Sequence, residues 1–333
     1  MNKFLIAALG ISTFLILSVT TAEASLNSPI NLENPRVVPI YGQQNSSQTV
    51  DRAGWSGYLY SSRIVFSAAH SHFRFDNAGN RILSEAPYIT VGMPNSAASD
   101  KTGRVKVIKT FVGDYRSSSV GGLNDFIVYV LERDLVPISP GKLLTSEIEK
   151  ELVAINSEVK LHGYGEYQDR CVPEETPPCK EDRNDPKKKT SELPRSPTGS
   201  MKLVPSSYFS WLSGVQLKDL ANETLLSDNL ACSGDSGGPV TALYKGEAIY
   251  LGTTPLGFTP GYYCGAGRSR VSEKPIGFFS PVYKHRDLIE AAENFINANS
   301  APATNTSITC YKGKLTKKIS SKNPKCPKGY KKK

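Results

Sequence analysis

Residues 231–240 read Ala-Cys-Ser-Gly-Asp-Ser-Gly-Gly-Pro-Val. One hydroxyl, that of Ser236, stands among Gly234, Asp235, Gly237, Gly238 and Pro239, a stretch with almost no packing side chain. A serine hydroxyl is a poor nucleophile at neutral pH unless a base takes its proton. An attack on a carbonyl also needs donors aimed at the oxyanion that forms. Gly234 has no Cβ to keep its backbone N–H away from a substrate, so the N–H groups of Gly234 and Ser236 can form a two-donor hole. Gly237 and Gly238 allow tight packing behind the serine.

The base should be a histidine, and the chain has four: His70, His72, His162 and His285. His70 ends the run Ile64-Val65-Phe66-Ser67-Ala68-Ala69-His70, a β-like segment that stops at two small residues. That places an imidazole at a strand end beside open space. His72 follows in a more polar context and reads as solvated. His162 lies within a strand pattern, and His285 opens the last helix. A third partner, a carboxylate, must fix the imidazole tautomer. Asp125, in Asn124-Asp125-Phe126-Ile127-Val128, stands at the start of a strongly apolar run. Burial of a carboxylate there is costly without a specific partner.

Around these residues the chain reads as many short apolar runs separated by turns, the pattern of an all-β sandwich or barrel. Examples are Tyr58-Leu59-Tyr60, Ile127-Val128-Tyr129-Val130-Leu131, Val159-Lys160-Leu161 and Ile249-Tyr250-Leu251. The 27 Gly and 22 Pro favour turns over long helices. One late helix is expected at 284–298, where Leu288, Ile289, Ala292, Phe295 and Ile296 fall on one stripe. Residues 167–200 read as a polar surface loop.

Three stretches now carry a resemblance. Gly-Asp-Ser-Gly-Gly-Pro at 234–239, Ser-Ala-Ala-His at 67–70 and Asn-Asp-Phe-Ile at 124–127 resemble the chymotrypsin/trypsin family of serine endopeptidases, in its secreted bacterial form. The order His, Asp, Ser is that family's order. The resemblance covers roughly residues 40–298. It implies two six-stranded antiparallel β-barrels, one at about 40–145 and the other at about 146–283, with the active site between them and the helix 284–298 behind. It implies a hydrolase acting on protein or peptide substrates through an acyl-enzyme. His70 is then base and acid, Asp125 orients it, and Ser236 is the nucleophile. The competing reading is a catalytically silent binding protein on the same scaffold. A replaced His70, Asp125 or Ser236 would favour it, and all three are present.

The resemblance also raises expectations where this chain departs from the pattern. Ser71 stands where most relatives have a cysteine. Leu230 occupies the pocket-floor position that is Asp in trypsin-like members, and Gly257 and Gly277 match open pocket walls. Together they imply an apolar residue before the scissile bond, although Pro255 and the insert 258–273, with Asp228 and Arg268 nearby, can alter it. In relatives made as zymogens, a new N-terminus pairs with the Asp before the nucleophile, here Asp235. Ile40-Tyr41-Gly42-Gln43 is the nearest match to such a terminus, with Arg36-Val37 as the alternative cut.

The ends of the chain carry separate signals. Lys3, an apolar run from Phe4 to Val19 and Ala22-Glu23-Ala24 read as a cleaved signal peptide over 1–24, followed by a leader or propeptide at 25–39. The mature chain is then expected outside the cell, secreted or cell-surface associated, with no transmembrane segment. Six cysteines in an exported chain suggest disulfides, with 15 pairings open. The family resemblance implies Cys232 with Cys264; Cys171 with Cys179 and Cys310 with Cys326 follow as local pairs. No Cys-x-x-Cys occurs, so neither a metal site nor a cofactor is expected. The formal charge is +9, and residues 299–333 alone hold ten Lys with no Asp or Glu, so the body is nearly balanced. That tail, with its Cys310–Cys326 loop, points to an anionic surface as partner: an anionic cell-surface polymer, lipid headgroups or another polyanion. Nucleic acid is not expected, since the tail offers only Tyr311 and Tyr330 for stacking.

Overall fold

The computed structural model describes residues 29–43, 50, 53–75, 80–83, 88–118, 121–165, 191–196, 201–209, 225–227, 234–258, 276–300, 306–321 and 324–332. In the first half, β1 (Val37–Gln43), β2 (Trp55–Ser61), β3 (Ile64–Ser67), β6 (Tyr88–Val91), β7 (Val105–Val112) and β10 (Ile127–Leu131) close into a barrel. Its strand order is β1-β2-β3-β10-β7-β6, and β6 returns to β1. Two small hairpins lie outside it, β4 (Phe73–Phe75) with β5 (Arg81–Leu83) and β8 (Arg116–Ser118) with β9 (Gly121–Leu123).

The second half is a six-stranded sheet curled into a half-barrel. It contains β11 (Glu158–Leu161), β12 (Met201–Lys202), β13 (Leu225–Ser227), β14 (Pro239–Tyr244), β15 (Glu247–Phe258) and β16 (Ile276–Pro281), in the order β12-β11-β14-β15-β16-β13. The protein is therefore mainly β, with one closed barrel and one open six-stranded sheet among the described residues, where the sequence led us to expect two closed barrels. The first strand of the closed barrel begins at Val37.

The period-2 rule explains why the barrel strands are apolar throughout. Along β10, Ile127, Tyr129 and Leu131 point into the barrel with Leu59, Val65 and Val91. Val128 and Val130 point out, into a second core shared with Val159, Leu161, Val240 and Tyr250 of the other sheet. Tyr58 stacks on Tyr250 with ring centroids 4.2 Å apart, joining the halves. A strand buried on both faces has no polar alternation to show.

Two α-helices are found among the described residues. α1 (Ser146–Ala154), which periodicity did not indicate, is capped by Thr145, whose hydroxyl accepts from the Ile148 N–H. α2 (Arg286–Ser300) follows a 3-10 turn at Val282–His285. Its Leu288, Ile289, Ala292, Phe295 and Ile296 face the shared core as the stripe predicted. It packs on β7 and β10 of the first half, and Tyr60 donates to Glu293 at 3.2 Å. No helix of the described residues is long and apolar enough to cross a membrane. Residues 306–332 form a separate three-stranded sheet of β17 (Thr306–Lys312), β18 (Leu315–Ser321) and β19 (Lys331–Lys332), with a Cys310–Cys326 disulfide.

Candidate active site

Strand register brings the first two residues together. β3 and β10 are antiparallel with Ser67 opposite Ile127, so the segment after Ser67 meets the segment before Ile127. Ala68 and Ala69 are fully buried, and a 3-10 turn from Ala69 to Ser71 turns His70 to the surface of the barrel. On the other side Asn124 adopts φ +54°, a left-handed position that Asn tolerates, and its side chain donates to the Asp114 carbonyl. Asp125 then points inward and is only 1% exposed.

The buried carboxylate is well partnered. Oδ1 accepts from the His70 backbone N–H at 2.8 Å, and Oδ2 lies 2.6 Å from His70 Nδ1. Thr253, on β15, donates its hydroxyl to the Asp125 carbonyl at 3.2 Å. The far ring nitrogen, Nε2, lies 2.9 Å from Ser236 Oγ. The structure thus assembles His70, Asp125 and Ser236 into one hydrogen-bonded chain, with the His70 side chain 25% exposed.

His70 differs electrostatically from the other three histidines. Burial pulls its pKa down, but the charge of Asp125 and the hydrogen bond to it outweigh burial and leave it above 6.5. His72, His162 and His285 lie at about 4, burial being the largest cause in each. His72 is buried against Phe73 and Tyr129, not solvated as the sequence suggested, because its ring turns under the barrel rim. His285 stacks on Phe126 with centroids 4.5 Å apart and meets Ser280 at 2.8 Å.

Ser236 is held by backbone contacts that only glycine neighbours permit. Gly234 and Gly237 have φ +91° and +77°, a region that L side chains rarely enter. A Cβ on Gly237 would lie 2.0 Å from Ser67 Oγ, and one on Gly238 2.2 Å from the His162 carbonyl. The Gly237 N–H donates to the Thr254 carbonyl, and the Gly238 N–H donates back to the Asp235 carbonyl. Asp235 is 1% exposed, and its Oδ1 accepts from the Gly165 N–H at 2.9 Å. Gly163 and Gly165 both pack against this carboxylate, where a Cβ would intrude.

Residues that sequence reasoning did not single out tie this turn to the first barrel. Ser56 Oγ donates to the Gly234 carbonyl and accepts from the Tyr164 N–H, both at 2.9 Å. The Ser56 N–H donates to the Ser236 carbonyl. Ser67 in turn donates to the Ser56 carbonyl at 2.8 Å. The two peptide units on either side of the one that carries the Ser236 N–H are therefore held by the first barrel. No motif marks Ser56, which reads as an ordinary polar residue in a strand.

Other expected positions fall differently. Gly257 on β15 and Gly277 on β16 are direct cross-strand partners, so the two expected pocket-wall glycines are adjacent. Leu230, Asp228, Arg268 and the cysteines Cys171, Cys179, Cys232 and Cys264 lie outside the described residues. In the uncleaved chain Ile40 sits within β1, paired with Trp55 and Val91, with its side chain in the inner barrel core. Among the described residues, no group of three or more His, Cys, Asp or Glu side chains could hold a metal ion. No protein-family model matches the chain, and no curated protein matches it.

Proposed function

We propose that the protein is an exported serine endopeptidase of the double-barrel type, with His70, Asp125 and Ser236 as its catalytic residues. The observation that carries this reading is the continuous hydrogen-bonded chain, 2.6 Å from Asp125 to His70 Nδ1 and 2.9 Å from His70 Nε2 to Ser236 Oγ. Buried neutral histidines are common in cores; a histidine bonded to a buried carboxylate on one side and a half-exposed serine on the other is a proton-transfer arrangement.

The chemistry runs as follows. Ser236 Oγ attacks the scissile carbonyl carbon as its proton passes to His70 Nε2. The carbonyl electron pair moves to oxygen, which the N–H groups of Gly234 and Ser236 receive. Asp125 stabilises the imidazolium and holds Nδ1–H in place. The intermediate collapses, the C–N bond breaks, and His70 returns the proton to the leaving amine. Water, deprotonated by His70, then attacks the acyl carbonyl; the ester C–O bond breaks, His70 returns the proton to Ser236 Oγ, and the acid leaves. The adjacent Gly257 and Gly277 support an open pocket, and Leu230 an apolar one, so we propose cleavage after apolar residues in protein or peptide substrates.

The test is an intact mass before and after a serine-directed sulfonyl fluoride, with Ser236→Ala as control. One stoichiometric adduct, lost in the variant, is expected. No adduct on a chain freed of its signal and leader would overturn the reading in favour of a silent binding protein.

A further inference from the structure

The lysine-rich end of the chain is folded, and its charge is unevenly placed. β17 and β18 pair over their full length, from Thr306 opposite Ser321 at one end to Lys312 opposite Leu315 at the other. At ~3.4 Å per residue this hairpin is about 20 Å long. At the end nearest residues 301–305, the described pairs of Thr306, Ser307 and Ile308 with Ser321, Ser320 and Ile319 hold no lysine. The opposite end holds Lys312 and Lys314, with Lys317 and Lys318 from the middle of the hairpin and Lys331 and Lys332 on β19 beside Tyr311 and Cys310. The turn after Cys326 also lies there, since Gly329 packs near the Lys312 side chain. No acidic residue occurs anywhere in 299–333.

The same end exposes apolar side chains. Leu315, next to the hairpin turn, is 63% exposed, and Tyr311 is 39% exposed. Gly313 at the turn has φ +60°, and nothing lies within 4 Å of where its Cβ would be. The tip is thus a bare hairpin end, ringed by cations, that presents a leucine and a tyrosine. A linear polyanion would be served by the lysines alone and offers Leu315 nothing. A bilayer with negative headgroups offers both layers at the right depth: charge at the surface, hydrocarbon a few ångströms below, and an interfacial zone that suits tyrosine.

We infer that the β17–β18 tip docks the protein on an anionic lipid surface, with Leu315 entering the acyl boundary and the surrounding lysines on the headgroups. Each lysine near such a surface strengthens binding roughly fivefold at low salt, and burial of one leucine about tenfold or more. The disulfide closes the turn of 324–330 against β17, which holds the lysines of β19 at the same end.

The experiment is co-sedimentation of the full-length processed chain, carrying Ser236→Ala, with vesicles of phosphatidylcholine alone or mixed with phosphatidylglycerol. Beads bearing long-chain inorganic polyphosphate are run in parallel. Binding to the mixed vesicles alone, weakened by salt, is expected. Leu315→Ser, at an exposed position, should bind those vesicles about tenfold more weakly and polyphosphate unchanged. A paired Lys312→Ser and Lys314→Ser variant should lose affinity for both. Three results would overturn the inference: Leu315→Ser sedimenting like the parent, retention on polyphosphate without binding to vesicles, or no binding to either. The readout requires no hydrolysis, so failed labelling of Ser236 in the parent would sink the endopeptidase reading and leave this inference standing, while failed lipid binding would sink this inference alone.

Discussion

Ser56→Ala tests whether the first barrel positions the oxyanion donors. The substitution removes one hydroxyl that donates to the Gly234 carbonyl and accepts from the Tyr164 N–H, both at 2.9 Å. The Ser56 backbone bond to the Ser236 carbonyl survives, so the nucleophile itself stays tethered. Two backbone groups lose their partner, each worth about 1–3 kcal/mol when left unpaired in the interior. The Tyr164 N–H is buried and cannot turn away, so its share should appear as lost stability, a lower melting temperature. The 234–235 peptide lies between the two units that carry the Gly234 and Ser236 N–H groups, so releasing its carbonyl lets both donors shift. If about 1.4–2.8 kcal/mol of transition-state stabilisation goes with it, kcat/KM falls roughly 10- to 100-fold. The loss should fall on kcat and not on KM. A peptide aldehyde or boronate, which mimics the oxyanion, should weaken in parallel. Ser56→Thr, which keeps the hydroxyl, should restore most of both, and the pH profile should not move because His70 and Asp125 are untouched. A lowered melting temperature with kcat/KM within a factor of two of the parent would refute the reasoning and make Ser56 purely structural.

Three other outcomes follow from the same geometry. His70 must be neutral to accept the serine proton, so kcat/KM should rise with pH through its pKa, which Asp125 holds above 6.5. Asp125→Asn removes that charge and leaves burial, so the acid limb of the much-reduced rate should move down; an unmoved limb would contradict the assignment of His70. The buried His72, His162 and His285 have folded pKa values of about 4 against about 6.5 unfolded, so the unfolded chain binds more protons between those values. Their contribution to stability is complete above pH 6.5 and is lost toward pH 4, and His162→Phe should flatten that decline in a melting series. His70, raised, contributes in the opposite sense: fully below 6.5, and lost as pH rises through its own pKa. Gly238→Ala should abolish labelling of Ser236, because the added carbon meets the His162 carbonyl at 2.2 Å. Gly246→Ala, at φ +82° in the turn between β14 and β15 with nothing within 4 Å, should lower stability by only about 1 kcal/mol and leave labelling intact.

What was legible in the sequence was local. Ser-Ala-Ala-His and Asn-Asp-Phe-Ile could be read because each sits at the end of a strand buried on both faces, β3 and β10, whose apolar runs stand out. The stripe of α2 was legible because five apolar residues share one face of one helix. α1 was missed because only Leu152 among its residues is fully buried, so it shows little stripe; the Thr145 cap was its one signal. The lysine-rich end was read as a tail because lysines occupy strand positions that would otherwise show alternation, and among the described residues only Ile308 and Cys310 are buried there. Ile40-Tyr41-Gly42-Gln43 fits a terminal pattern only at Ile40 and Gly42, and the surrounding buried run from Val37 to Tyr41 belongs to a barrel strand.

Ser56 shows the remaining limit. Its partner Gly234 is 178 residues away, and no local pattern encodes a contact across a cleft. The site accordingly has two kinds of control. The spacing from Asp125 to His70 is set inside one barrel, by the register that places Ser67 opposite Ile127. The spacing from His70 to Ser236 is set between the two halves, by the Ser56 bonds to the serine turn, with Ser56 itself held by Ser67, and by the shared aromatic core where Tyr58 stacks on Tyr250. The first is a property of strand pairing and persists while the barrel is closed. The second depends on how the halves dock, so it is the spacing that domain packing, substrate or the activation state can change without unfolding either half.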